Sequence, residues 1–277
     1  MQVSVAVFVG VFGALIGSFL NVVAYRVPLR LSIVSPPSAC PHCSAPIRGY
    51  DNMPVISWLV LRGKCRDCQS PISARYPLVE AGTAVFFTVV ALWFWPNVAA
   101  SGSVGTAAAV AAGLAFAAFL YLAAVSVALA LIDIDTHTLP NRIVLPSFLV
   151  GVVLLGAAAV LGSDVGALIR AAIGSAALFL AYAAMAFAYP GGMGLGDVKL
   201  AGVLGLFLGY LGWGQLVVGA FGAFIIGGVF ALGLVIFRRA NRKTGIPFGP
   251  WMLAGAWLGA LVGAPISLGY LALFGLA

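Results

Sequence analysis

Charge is what this chain has least of. Only 8% of its 277 residues are Asp, Glu, Lys or Arg, and only seven are acidic, where a soluble domain carries about a quarter charged residues. Residues 81–132, 143–163, 171–196, 200–237 and 244–277 contain none of the four. Such runs exclude an ordinary soluble domain, because about 20 mainly apolar residues already make a spanning helix. The first apolar segment lacks a basic start and a clean small-residue cleavage site, so it is expected to be a retained helix and not a signal peptide. No internal repeat and no low-complexity tail is visible. No serine, histidine and acid set recurs at one depth to offer a nucleophile.

What is present predicts an all-α polytopic membrane protein of about eight transmembrane helices with a small zinc-binding cytoplasmic loop domain. The expected spans are 3–24, 79–97, 106–132, 143–161, 167–189, 199–212, 215–237 and 250–273. The uncharged run 200–237 is too long for one helix and is divided at Gly209-Tyr210-Leu211-Gly212-Trp213-Gly214, where three glycines and an aromatic pair suggest a turn. The sixth span is then short. The organisation that follows is a first helix at 1–24, a loop domain at 25–78 and a transmembrane domain at 79–277.

The net charge of +7 is placed as a membrane protein places it. Seven basic residues fall between Arg26 and Arg75, and four more sit in Arg238-Arg239-Ala240-Asn241-Arg242-Lys243. Arg142 and Lys199 flank the two acidic spots, and only Arg170 falls on the opposite side. This asymmetry puts 25–78, 133–142, 190–198 and 238–249 in the cytoplasm and both termini outside. It points to a lipid bilayer as the partner and not to nucleic acid. Trp93, Trp95, Trp213 and Trp251 lie near span ends, as an interfacial belt would have them.

All four cysteines lie in the loop 25–78, as Cys40-Pro41-His42-Cys43 and Cys65-Arg66-Asp67-Cys68. At about 54 residues the loop is too small to be stabilised by an apolar core alone. Two C-x2-C pairs suit a tetrahedral zinc, each supplying two thiolates from a tight turn. Four sulfur ligands leave no open position for water, so the expected role is structural. Disulfides are disfavoured on the reducing side of a membrane. His42, inside its turn, reads as a loop histidine.

The acids that remain draw the functional argument. Ile132-Asp133-Ile134-Asp135 ends one apolar stretch, and Gly191-Gly192-Met193-Gly194-Leu195-Gly196-Asp197-Val198-Lys199 opens another. Carboxylates at membrane depth are expensive and mark function. Both spots fall at the same membrane edge, where Asp133 and Asp197 can meet. Two carboxylates that share a site do not both ionise easily, so one keeps a proton while the other acts as base, and the pair can activate water against a peptide carbonyl. Asp197 also suits a helix cap. Asp133 and Asp135 point to different faces of a helix, so one of them is a loop or cap residue, and spacing does not say which. His137 reads as a polar loop residue. Lys199 either pairs with Asp197 or marks a helix end.

These motifs, in this order, resemble the type IV prepilin peptidases, a branch of the GxGD aspartic proteases. Gly17-Ser18-Phe19-Leu20-Asn21-Val22-Val23-Ala24-Tyr25-Arg26-Val27-Pro28 is similar to the family's opening motif. Tyr50-Asp51-Asn52-Met53-Pro54-Val55-Ile56-Ser57-Trp58 and Arg75-Tyr76-Pro77-Leu78-Val79-Glu80 resemble its loop motifs, and Ile246-Pro247-Phe248-Gly249-Pro250 its late loop. Gly194-Leu195-Gly196-Asp197 fits the GxGD signature. Asp133 fits the first catalytic aspartate, which precedes a Leu-Pro element, here Leu139-Pro140. The resemblance implies removal of the basic leader from prepilins or pseudopilins at the cytoplasmic face of the bacterial inner membrane, in type IV pilus or type II secretion systems. It further implies N-methylation of the new N-terminus with S-adenosylmethionine, which no glycine-rich nucleotide fingerprint supports independently. One departure stands out. Many relatives have Leu-Pro-Asp where this chain has Leu139-Pro140-Asn141, so an active enzyme does not require that acid. The rival reading, a proton-coupled transporter or assembly factor, lacks the inverted repeats that would favour it. A zinc module on a mere anchor would not need eight spans.

Overall fold

The computed structural model describes residues 2–189, 193–237 and 247–276. Gly191 and Gly192 of the glycine-rich run, the basic cluster from Arg238 to Lys243, and Ile246 of the late loop lie outside the described residues. The helices are α1 (Gln2–Arg26), α2 (Ile56–Val60), α3 (Arg75–Ser101), α4 (Thr106–Thr136), α5 (Asn141–Leu161), α6 (Val165–Ala188), α7 (Leu195–Leu211), α8 (Trp213–Ile236) and α9 (Gly249–Leu273). Among the described residues the only β pairing is two isolated bridges, Ala39 with Pro46 and Lys64 with Pro71. Among the described residues, seven helices are long and apolar enough to cross a membrane. The remaining expected span, the short sixth one, is α7, whose 17 residues reach about 25 Å, less than a hydrocarbon core of about 30 Å.

Helix ends follow local chemistry more than hydropathy. α3 starts at Arg75, before the apolar run, because Pro77 in its first turn lacks an N–H that would have no partner there anyway. Asp164 caps α6, its Oδ1 accepting from Ala167 N at 2.8 Å. α4 runs four residues past its expected end at 132, so Asp133 and Asp135 are both helical. That corrects the expectation that one of them is a loop or cap residue. The helix stops at His137, whose φ of 51° and N–H to Asp133 O bond of 2.9 Å make a left-handed terminus. The turn expected at 209–214 is a single residue, Gly212. Its φ of 154° with ψ of 170° is a conformation open to glycine alone.

The chain forms two compact units, Met1–Asn97 with Leu120–Ala128, and Val98–Phe119 with Leu129–Ala277. In the first, α1 packs its glycines on α3: a Cβ on Gly13 would stand 2.7 Å from Phe87 Cβ. In the second, α7 is buried along nearly its whole length, as a helix apolar on every side should be. Phe119 meets Phe207 and Trp257 edge-on at 5.6 and 6.4 Å between ring centroids.

Gly255, Gly259 and Gly263 repeat every fourth residue along α9 and bring its backbone against α8, the small-residue packing of membrane helices. A Cβ on Gly259 would lie 2.5 Å from Gln215 O and 2.6 Å from Gly219 Cα, both backbone atoms that cannot step aside. Gly228, on α8, has no atom within 4 Å of such a position. Gly259→Ala should therefore cost about 1–3 kcal/mol of stability, while Gly228→Ala stays within about 0.5 kcal/mol. Melting of the two variants in one detergent checks this.

Candidate active site

Asp133 lies in the last turn of α4, 4% exposed. Its Oδ2 accepts from the backbone N–H of Gly249 at 3.0 Å. Gly249 is the first residue of α9, and the first N–H groups of a helix have no partner within it. The carboxylate therefore supplies an acceptor to a helix start and sits in the positive end of its dipole. A Cβ at residue 249 would stand 2.7 Å from Asp133 Oδ2, so only glycine admits the contact. Asp135, on the far side of α4, is exposed. The burial thus separates two aspartates that spacing leaves equivalent.

Asp197 occupies the third position of α7. Its Oδ2 accepts from Gly194 N at 3.0 Å, one half of a capping box. The cap reading and the dyad reading describe the same side chain. Gly196 admits a close neighbour: a Cβ there would lie 2.9 Å from Leu139 Cβ. Leu139 in turn reaches the other aspartate's donor, its Cδ2 lying 3.2 Å from a Cβ position at Gly249. Leu139 thus lies against both helix starts that hold the two carboxylates. Beside them Tyr182, Phe224 and Phe248 form an aromatic cluster with centroids 5.4 to 6.4 Å apart.

Lys199 neither pairs with Asp197 nor stands alone at a helix end. Its Nζ donates to Asn141 Oδ1 at 3.0 Å. Sequence reasoning does not assign a site role to Gly249, Phe248 or Asn141; the late-loop motif contains the first two, and the Leu139-Pro140-Asn141 departure marks the third.

The loop in the first unit brings its four cysteines together. Their Sγ atoms lie within 4.8 Å of one another, and Cys40 Sγ stands 3.8 Å from Cys68 Sγ. That is about the edge of a tetrahedron with 2.3 Å zinc–sulfur bonds and far beyond a disulfide. The two knuckles repeat one pattern. Cys40 N donates to Ala45 O and Ser44 N to Cys40 O, each at 2.9 Å; Cys65 N donates to Ser70 O at 2.9 Å and Gln69 N to Cys65 O at 3.0 Å. Ser44 and Gln69 both take φ near 60°. The Cys68 thiol, held by hydrogen bonds to the Ser70 side chain and backbone, is drawn down to about 6. At Cys43 the Ala45 backbone pulls down, but burial and the other three thiols prevail and push it up to about 12. Ion pairs tie the knuckle regions together, Arg48 to Asp67 at 2.9 Å and Arg66 to Asp51 at 2.6 Å. The Arg66 hydrogen bonds hold the Asp51 carboxyl below its usual value.

The three N-terminal motifs meet around Glu80, which is 8% exposed. Its Oε2 accepts from Val55 N at 2.7 Å. Val55 has φ of 62°, rare for a β-branched residue and costly unless its surroundings hold it. Asn21 Nδ2 donates to Tyr76 O at 3.3 Å, and Ser57 Oγ to Tyr50 O at 3.0 Å.

Two expectations follow. Gly249→Ala would push the Asp133 carboxylate out of place, and activity should fall about a hundredfold with the fold retained, read as turnover beside melting temperature. Chelation, or Cys65→Ser, should open residues 38–72 to protease and hydrogen exchange while α4 to α9 keep their protection. A loop equally protected after metal removal would exclude a structural metal.

A family model for the bacterial peptidase A24 N-terminal domain matches residues 11–94, and one for the type IV leader peptidase family matches residues 120–232. The chain is 36% identical to the prepilin leader peptidase/N-methyltransferase of Aeromonas hydrophila, covering 95% of this chain and 92% of that protein. It is 35% identical to the protein of the same name from Dichelobacter nodosus, over 94% and 92%. For that of Neisseria gonorrhoeae the identity is 34%, over 90% and 87%. Among solved structures there is no significant match. Both domain models and the length of the shared alignment lead to one conclusion: this chain belongs to the type IV leader peptidase family.

Proposed function

We propose that this chain is a membrane aspartyl endopeptidase that removes the leader from prepilins or pseudopilins and then methylates the new N-terminus. Its relatives carry both activities in their name. The observation that carries the proteolytic half is the pair of carboxylates in one unit, each held by a glycine N–H at a helix start. One of Asp133 and Asp197 is ionised and takes a proton from water as the water oxygen attacks the scissile carbonyl. The other is protonated and donates to the carbonyl oxygen. Collapse of the tetrahedral intermediate breaks the C–N bond, and the proton first taken from water passes to the leaving amine. The aromatic cluster beside the dyad keeps bulk water from the ionised member.

Cys40, Cys43, Cys65 and Cys68 would hold a zinc ion, and their sulfur geometry fits it. With four protein ligands the ion supplies cross-linking and no chemistry. The described residues contain no strand–helix unit of the kind that cradles a nucleotide. S-adenosylmethionine therefore rests on the family. Seven membrane-capable helices and the family make the chain a multi-pass protein of the bacterial inner membrane. The basic loop 25–78 argues for a cytoplasmic face for the dyad.

The test is cleavage of a prepilin by the purified enzyme, with product mass as readout. Asp133→Asn and Asp197→Asn should each lower turnover about a thousandfold without loss of melting temperature. Wild-type turnover in either variant would remove that carboxylate from the chemistry. A mass gain of one methyl group that depends on S-adenosylmethionine tests the second activity.

A further inference from the structure

α5 and α6 both pack on α7 but diverge from each other, and the space between them is a cavity of about 690 Å³. Phe148 and Val152 of α5, Ala172 and Ala176 of α6, and Val203 and Leu206 of α7 line it. The interior offers no free hydroxyl from Ser175, whose Oγ donates to Gly202 O at 2.8 Å. Along α7 the groove runs from Lys199 to Tyr210, about 16 Å at 1.5 Å per residue.

Lys199 closes one end. Its Nζ donates to a neutral oxygen, Asn141 Oδ1, and the next residue, Arg142, is exposed at the start of α5. None of the groove's lining residues is acidic. An apolar slot ended by a cation wants a molecule with a long apolar part and one anionic end. Its length selects between candidates. About 16 Å is the hydrocarbon depth of one leaflet, half of a core of about 30 Å, and falls short of a spanning peptide helix. Direction selects too. Lys199 is two residues from Asp197, about 200° round α7, so an occupant of this groove lies on the side of α7 away from the dyad.

We infer that the groove between α5 and α6 binds an anionic phospholipid, its acyl chains on α7 and its phosphate on Lys199. Basic pockets between membrane helices hold such headgroups. The site is separate from the proteolytic one and does not depend on the proposed function.

The test is native mass spectrometry of the full chain in detergent, titrated with phosphatidylglycerol or phosphatidylcholine. Wild type should retain phosphatidylglycerol about fivefold more tightly, the worth of one cation near a headgroup. Lys199→Gln removes the cation, and Asn141→Asp gives it a carboxylate partner; each should abolish the preference and leave phosphatidylcholine binding unchanged. Ala176→Phe, at an exposed position of the groove wall, should weaken both lipids. A preference that survives both charge variants, or binding indifferent to Ala176→Phe, overturns the site and leaves annular lipid only. One-for-one displacement of lipid by a prepilin carrying its apolar segment would also overturn it, and would assign the groove to substrate.

Discussion

A carboxylate at the edge of a membrane core must find hydrogen-bond donors, because lipid offers none and desolvation of the charge costs several kcal/mol. In this protein the donors come from backbone. Asp133 takes the N–H of Gly249 and Asp197 that of Gly194, each at the start of a helix. A backbone donor has no rotamer freedom, so each acid is as fixed as the helix it caps. The requirement then spreads outward. Gly249 must lack a Cβ for Asp133 to reach it, and Gly196 must lack one for Leu139 to lie against the start of α7. The packing of α4, α7 and α9 in the second unit is thus tied to two hydrogen bonds. Neither of the two acids has Lys199 as its hydrogen-bonded partner; a cation there would hold both ionised and remove the proton that acid–base catalysis needs.

The first unit meets the opposite difficulty. Its loop is small and leaves much of its apolar surface exposed, with few buried side chains between Val27 and Ala74, and no core of that size pays for ordering its backbone. Four sulfurs placed for a tetrahedral ion supply the missing cross-link. The repeated knuckle turns and the ion pairs Arg48–Asp67 and Arg66–Asp51 arrange the two cysteine pairs beforehand. Glu80 connects this loop to α3 through Val55, and the positive φ at Val55 is tolerated because that N–H has a buried carboxylate to reach.

Much of this was legible in the sequence, for identifiable reasons. Charge-free runs mark where membrane helices lie, since burying charge in lipid is too costly to occur by accident. The turn within 209–214 was legible from its three glycines and aromatic pair, but not that Gly212 alone makes it. The four cysteines were legible because the spacing is itself the ligand geometry. Helix ends were not. Hydropathy falls at the membrane surface, but the backbone ladder continues through Asp133 to Thr136 and begins at Arg75, before its apolar run. The choice between Asp133 and Asp135 was illegible from spacing for the same reason: in a helix apolar on all sides, no periodicity says which face is inward. The partners Gly249 and Asn141 lie 116 and 58 residues from the side chains they bond, and pairing over such separations leaves no local trace.

α7 shows how one short helix serves two surroundings. At about 25 Å it cannot span a core of about 30 Å unaided, and its neighbours cover nearly all of it. Its first turn can therefore hold Asp197 within protein, where an aqueous loop would solvate it. Two residues later the helix has turned through about 200°, and Lys199 faces a different environment, an apolar slot that opens between α5 and α6. Were α7 longer, its start would move into water, which would solvate Asp197 and screen its charge from the neighbouring carboxylate. Were α5 and α6 closed over it, Lys199 would be a buried cation facing only an amide oxygen, which is costly. The short helix and the open groove are thus two consequences of one arrangement, an acid and a base two residues apart on a helix buried in the membrane.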